Sequence, residues 1–221
     1  MAPRGERPVT IAIVNDYELV VVGLAALLAP FADRVKVVEL DSRLPVASDV
    51  DVILYDTFGQ VQGPAVDVDS LVGPGGGKVV IFSWNLHPEL VEASIANGAA
   101  GYVSKGIIAE ELVTAIEDVH AGKIVVPDIH DRATPVDDGN YPGREAGLTG
   151  REVEIIALIT QGLSNQEIAE RSYLSINSVK TYIRTAYRKM GVTRRSQAVL
   201  WGIKNGMQPD VVRRVNGVDY R

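Results

Sequence analysis

Five short apolar runs punctuate the first half of the chain, each followed by a stretch compatible with a helix, and this alternation constrains the fold more than any other feature. The runs are Val9 to Val14, Val35 to Val38, Val52 to Tyr55, Lys78 to Phe82 and Ala100 to Val103. They are rich in β-branched residues and lack period-two alternation, as expected of strands covered on both faces. The clearest intervening helices are Tyr17 to Leu28, Leu86 to Asn97 and Ile107 to Ala121. Strand then helix, repeated, predicts an α/β doubly wound parallel five-stranded sheet over residues 8–121. Such sheets place ligands beyond the carboxyl ends of their strands, so the residues that close each run are the first functional candidates.

From Gly122 to Gly147 the pattern gives way to prolines, glycines and acids, among them Pro127, Pro135, Asp137, Asp138, Gly139, Pro142 and Gly143. Residues 122–147 read as a linker. Beyond it the strand signal stops, and residues 148–206 carry four helical segments, followed by a tail over 207–221. Charge divides at the same place, with a net −12 before residue 148 and a net +5 over residues 148–206. An acidic half joined to a basic half points to nucleic acid as the partner of the basic one, the plainer reading being chance drift of surface charge.

In the basic half the helix starts are written locally. Thr149-Gly-Arg-Glu152 and Ser164-Asn-Gln-Glu167 match the capping box, in which the first and fourth residues satisfy each other's free backbone N–H groups. Ser175 can cap a third helix, and a fourth begins after Thr193. The helix of Asn165 to Arg171 lies only a few residues before the one near Ile176, the tight connection of a helix-turn-helix. At 100° per residue, Asn177, Lys180, Thr181, Arg184 and Arg188 fall in an arc of about 100°, with Val179, Ile183, Ala186, Tyr187 and Met190 on the other side. Amide, hydroxyl and cationic groups on one face suit base edges and phosphates, whereas an ordinary solvated face would be expected to include acids as well.

The motifs Leu148-Thr-Gly-Arg-Glu-Val-Glu, Gly162-Leu-Ser-Asn-Gln-Glu-Ile-Ala, Ser178-Val-Lys-Thr-Tyr and Lys189-Met-Gly-Val together resemble the LuxR-type helix-turn-helix domain. The resemblance implies that Asn177, Lys180 and Thr181 face bases, that Arg184 and Arg188 follow the backbone, and that the amide end of the Asn165 helix approaches a phosphate. It further implies a homodimer on double-stranded DNA. Val199 and Ile203, on the last helix, are candidates for pairing two copies, or they close the domain's own core.

The strand ends of the acidic half carry Asn15-Asp16, Asp56, Ser83 and Lys105. Together they resemble the receiver domain of response regulators, and the whole chain is similar to the NarL/FixJ type. That resemblance implies phosphorylation of Asp56 by a histidine kinase, magnesium held by Asp16 and Asp56, Lys105 on the phosphate, and a relay through Ser83 and Tyr102. A phosphorylated carboxylate concentrates negative charge, which a magnesium ion and an ammonium group offset. Asn15 stands where the pattern has a second acid, which weakens the hold on a hard cation. The loop after Asp56 reads Thr-Phe-Gly-Gln without the usual Met-Pro, and Gly73 to Lys78 leaves little room for a full helix. Two readings follow: a regulator controlled by phosphorylation at Asp56, or an atypical one working without phosphate as a constitutive or ligand-controlled dimer.

Other classes fare worse. With no cysteine, disulfides, thiolate catalysis and Cys-based zinc sites are excluded. The three histidines, His87, His120 and His130, lack ligand spacing. No apolar run reaches membrane-span length and Met1 to Pro8 lacks a signal-peptide core, so the expected location is cytoplasmic. A magnesium-dependent phosphate-ester hydrolase built on Asp16 and Asp56 would have metal-ligand types but no evident general base, and the expectation is a chain that is not an enzyme.

Overall fold

The computed structural model describes residues 7–41, 46–62, 66–73, 75–127, 142–208, 213–215 and 218–220. Its N-terminal domain is built from β1 (Val9–Val14), α1 (Glu18–Leu28), β2 (Val35–Asp41), β3 (Val52–Asp56), α2 (Val68–Leu71), β4 (Lys78–Ser83), α3 (Pro88–Ala96), β5 (Gly101–Ser104) and α4 (Ala109–His120). These five strands are mutually parallel in the order β5-β4-β3-β1-β2, the doubly wound arrangement whose topological switch point lies between β1 and β3. The C-terminal ends of those two strands carry Asn15, Asp16 and Asp56.

Both sheet faces are covered, which explains the unbroken apolar character of the strands. Ile11, Ile13, Leu54 and Val80 belong to one core with Leu24 and Leu28 of α1 and Leu112, Val113 and Ile116 of α4. On the opposite face Ala12, Val14, Ile53 and Ile81 join Leu90 and Val91 of α3. The helix between β3 and β4 is a single turn, α2, started by Asp67, whose side chain accepts from the Ser70 amide, and stopped before the glycine-rich segment.

The C-terminal domain comprises α5 (Gly150–Thr160), α6 (Asn165–Arg171), α7 (Ile176–Met190) and α8 (Arg195–Lys204). Both capping boxes form, with Thr149 and Glu152 bonded reciprocally and Ser164 and Glu167 likewise. Ser175 accepts from the Ser178 amide at the start of α7. Gly191 ends that helix at φ 68°, left-handed backbone that a residue with a Cβ adopts only under strain.

Two features depart from the expected boundaries. Residues after Ala121 continue to serve the N-terminal domain, because Val125 bridges to Gly101 beside β5 and Tyr102 N donates to the Val125 carbonyl. The tail contains strands β6 (Arg213–Val215) and β7 (Val218–Tyr220), which pair antiparallel with each other and add to the free edge of β2 through Glu39↔Val215 and Leu40↔Arg214. The five-stranded parallel sheet is thus extended to seven strands, and an edge otherwise open to pairing with another chain is covered. Of the linker, residues 128–141 lie outside the described residues. No described helix is long and apolar enough to cross a membrane.

Candidate nucleic-acid interface and acidic pocket

α7 owes its amphipathic character to the spacing of its residues, and the fold turns the two faces as that spacing requires. Val179 and Ala186 are fully buried, and Ile183, Tyr187 and Met190 pack partly against the same core. Asn177, Lys180, Thr181, Arg184 and Arg188 are all exposed. The remaining motif cation, Lys189, does something else: its Nζ lies 2.6 Å from Glu152 Oε2, tying the end of α7 to the start of α5. Burial opposes ionisation of Glu152, but the bonds from Lys189 and the Thr149 amide outweigh it and hold the carboxyl below its usual range.

On α8, Val199 is half-buried against the domain's core, whereas Leu200 and Ile203 are 59% and 45% exposed. The structure therefore separates the two residues proposed for pairing, keeping Ile203 outward and adding Leu200. Spacing alone did not single out Leu200, since it needs the direction from which α5 packs on α8.

The acidic residues gather at the C-terminal ends of β1 and β3 as the topology requires. Asp56 is buried, and its Oδ1 accepts from Lys105 Nζ at 2.6 Å, Phe58 N at 2.7 Å and Asn15 Nδ2 at 3.1 Å. The Asn15 amide also donates to the Asp56 and Phe58 carbonyls, both at 2.9 Å, and its oxygen accepts from Tyr17 N. Lys105 Nζ stands 5.6 Å from the centre of the Phe58 ring and 5.8 Å from that of Phe82, within the range of cation–π attraction. Thr57 Oγ1 donates to Ser83 Oγ at 2.9 Å. Burial pushes the Tyr102 phenol up to about 12, the Ser83 hydroxyl pulling the other way, so Tyr102 keeps its proton and donates it to the Asn85 carbonyl at 2.5 Å.

Asn15 adds no ligand for a magnesium ion to this set. A hard divalent cation takes oxygen ligands, but Asn15 turns its NH2 toward Asp56 and its only amide oxygen is engaged by backbone. Among the described residues no group of three acidic or histidine side chains is arranged to hold a metal. The negative charge of Asp56 is met by Lys105, with the Asn15 amide donating to the same oxygen.

The C-terminal domain covers this pocket, an arrangement absent from the sequence reading. Tyr17 and Phe58 meet edge to face with ring centres 5.0 Å apart and belong to the same buried cluster as Leu148, Val153 and Ile156. Gln161 Nε2 donates to Tyr17 Oη at 2.7 Å and to the Gly59 carbonyl at 3.2 Å. Beside it, Gln62 N donates to the Arg171 carbonyl, and Gln62 also contacts Arg151 and Glu154, which pair with each other. Asn85 Nδ2 donates to the Ser172 carbonyl at 3.1 Å. A Cβ on Gly150 would lie 2.5 Å from the Trp84 ring, so a glycine at the head of α5 permits this close approach. Enclosed on both sides, α5 is buried nearly all round, including Ile155, Ile156, Leu158 and Ile159.

Residues 146–201 match the family described as bacterial regulatory proteins, luxR family. Along most of its length the chain is 30% identical to the DNA-binding transcriptional activator DevR/DosR of Mycobacterium tuberculosis, covering 87% of this chain and 93% of that one. The chain belongs to the LuxR-family response regulators. Within this family it is also 29% identical to the nitrate/nitrite response regulator protein NarL of Escherichia coli, over 89% of this chain and 95% of that one. Among solved structures, the crystal structure of the response regulator ChrA is 24% identical, covers 91% of this chain and 100% of that one, and superposes with a TM-score of 0.42. The matched residues 146–201 lie in the C-terminal domain, the helix-turn-helix effector of this LuxR-family regulator, and the N-terminal domain stands in the receiver's place.

Proposed function

We propose that this response regulator acts as a homodimeric, sequence-specific transcription regulator that reads double-stranded DNA with α7. The observation that carries the reading is the outward face of α7, where Asn177, Lys180, Thr181, Arg184 and Arg188 are exposed together and unaccompanied by an acid. Asn177, Lys180 and Thr181, near the helix start, meet base edges; Arg184 and Arg188, further along, neutralise phosphates. Ile203, joined by Leu200, offers an apolar contact for the second copy, setting two half-sites about one helical turn apart, roughly 10 base pairs. The electrophoretic mobility of a selected operator tests this: Lys180→Ala should lower specific affinity roughly 5- to 150-fold, the worth of about 1–3 kcal/mol. Unchanged specific binding would refute the assignment of the face.

Control without a phosphoryl group is favoured for the receiver by one observation, the Asn15 amide bonded to Asp56. The charge of Asp56 is already offset by Lys105 and its Oδ1 is hydrogen-bonded by Asn15, which brings no second carboxylate for a cation, and the pocket is closed over by the effector. In the second reading, a histidine kinase phosphorylates Asp56 and Lys105, Ser83 and Tyr102 respond; Asp16 and Asp56 would hold a magnesium ion that offsets the added charge. Intact mass spectrometry after incubation with acetyl phosphate and magnesium separates the two. No added phosphoryl mass supports the first; an added mass abolished by Asp56→Ala establishes the second.

A further inference from the structure

Asn85 sits where the receiver's relay residues meet the effector. Its backbone N–H donates to Ser83 Oγ at 3.1 Å, and its carbonyl accepts from Tyr102 Oη at 2.5 Å. Its side-chain amide crosses to the other domain's edge, donating to the Ser172 carbonyl at 3.1 Å and to Gln62 Oε1 at 3.3 Å. Gln62 in turn bonds to Arg171, Arg151 and Glu154 of the effector. Arg151 Nη2 donates at 2.9 Å to the same Ser172 carbonyl that Asn85 holds. A continuous path of hydrogen bonds therefore runs from Thr57, next to Asp56, through Ser83 and Asn85 into α5 and the end of α6.

We propose that Asn85 is the positioning residue that couples the Ser83–Tyr102 pair to the seating of the helix-turn-helix domain on the receiver. The backbone of Asn85 reports the state of the pair, and its side chain converts that state into a grip on Ser172. When Tyr102 releases the Asn85 carbonyl, the amide loses its aim and the effector lifts. Beside the apolar contact that Tyr17 and Phe58 make, this edge of the seam is polar: Ser172 Oγ and Gln60 Nε2 are buried without a partner among the described residues, and water satisfies such groups once the edge opens. The exposed face of α7 takes no part in the seam, so the coupling governs how the domains sit, not whether the DNA-reading residues are covered. This inference concerns the receiver–effector contact and stands apart from the DNA-reading role of α7.

The native tryptophan Trp84, lying against Gly150, reports the seam. In full-length protein carrying Trp201→Phe, so that Trp84 is the sole tryptophan, the fluorescence of Asn85→Ala, Tyr102→Phe and the double variant is compared. Far-UV circular dichroism and cooperative melting confirm that each is folded. Each single change should shift the Trp84 emission to the red and raise its quenching by acrylamide, the open-to-closed ratio rising roughly five- to tenfold for the loss of one hydrogen bond's worth of grip. The double variant should match Asn85→Ala, since without the amide the phenol has nothing left to aim. Should Asn85→Ala fail to fold, Asn85→Asp, which keeps the size but removes both amide donors, takes its place in the cycle. An unshifted Tyr102→Phe, or effects that simply add, would overturn the proposal, because a residue that only fills space would produce additive losses.

Discussion

Replacing Asn15 by aspartate tests what the amide does beside Asp56. In the structure the two N–H groups of the Asn15 amide serve three acceptors, Asp56 Oδ1 and the carbonyls of Asp56 and Phe58, one hydrogen being shared, from a position that is 1% exposed. Asn15→Asp removes these bonds and turns a carboxylate oxygen toward three acceptors. At about 1 kcal/mol net per bond, and with a further buried charge facing Asp56, the loss comes to roughly 3–5 kcal/mol. For a chain of this size, at roughly 2–4 °C per kcal/mol, the melting temperature should fall by on the order of 10 °C in the presence of a chelator. The same change creates a cluster of carboxylates, so magnesium at a hundredfold its dissociation constant should return about 2.7 kcal/mol. Differential scanning fluorimetry with and without magnesium measures both effects. A wild-type protein stabilised by magnesium as strongly as the variant, or a variant as stable as wild type in chelator, would refute the reasoning.

Three further outcomes are expected. The Glu152 carboxyl is held below its usual range, so its contribution is present above about pH 4.5, its unfolded value, and fades as pH falls through the lower folded value. Glu152→Gln should therefore cost roughly 1–3 kcal/mol at pH 7, and in chemical denaturation the gap from wild type should narrow as the pH is taken down from 4.5. Ile203→Glu places a charge on the exposed apolar strip of α8; it should cut operator affinity at least tenfold while leaving the melting temperature within about 2 °C, and unaltered binding in the mobility assay would remove α8 from the dimer contact. Gly150→Ala adds a methyl group 2.5 Å from the Trp84 ring. Helix propensity favours alanine by up to about 1 kcal/mol, so a red-shifted Trp84 in a protein no less stable would show the seam opening by steric displacement.

How much of this was legible in the sequence depended on the range of the interactions involved. The caps at Thr149, Ser164 and Ser175 join residues three apart, so the motif and the bond are nearly the same fact. The alternation of apolar runs gave the parallel sheet because a strand buried on both faces must be apolar throughout. Placing Asp16, Asp56, Ser83 and Lys105 at strand ends followed from that topology. Val199 was less legible: α8 has apolar residues on several sides, and only the packing of α5 decides which of them turns inward.

The order of the elements, the helix starts, the split of charge and the cation-bearing side of α7 were determined by the sequence itself, since each rests on periodicity or on hydrogen bonds between near neighbours. Only the tertiary structure decided that β6 and β7 close the β2 edge, that the Asn15 amide donates to Asp56, and that the effector rests on the receiver through Gln161, Gln62 and Asn85. Those contacts join residues 41 to 176 positions apart, from Asn15 with Asp56 to Glu39 with Val215. No local pattern encodes them, because a buried polar group takes whichever partner the folded chain brings within 3 Å.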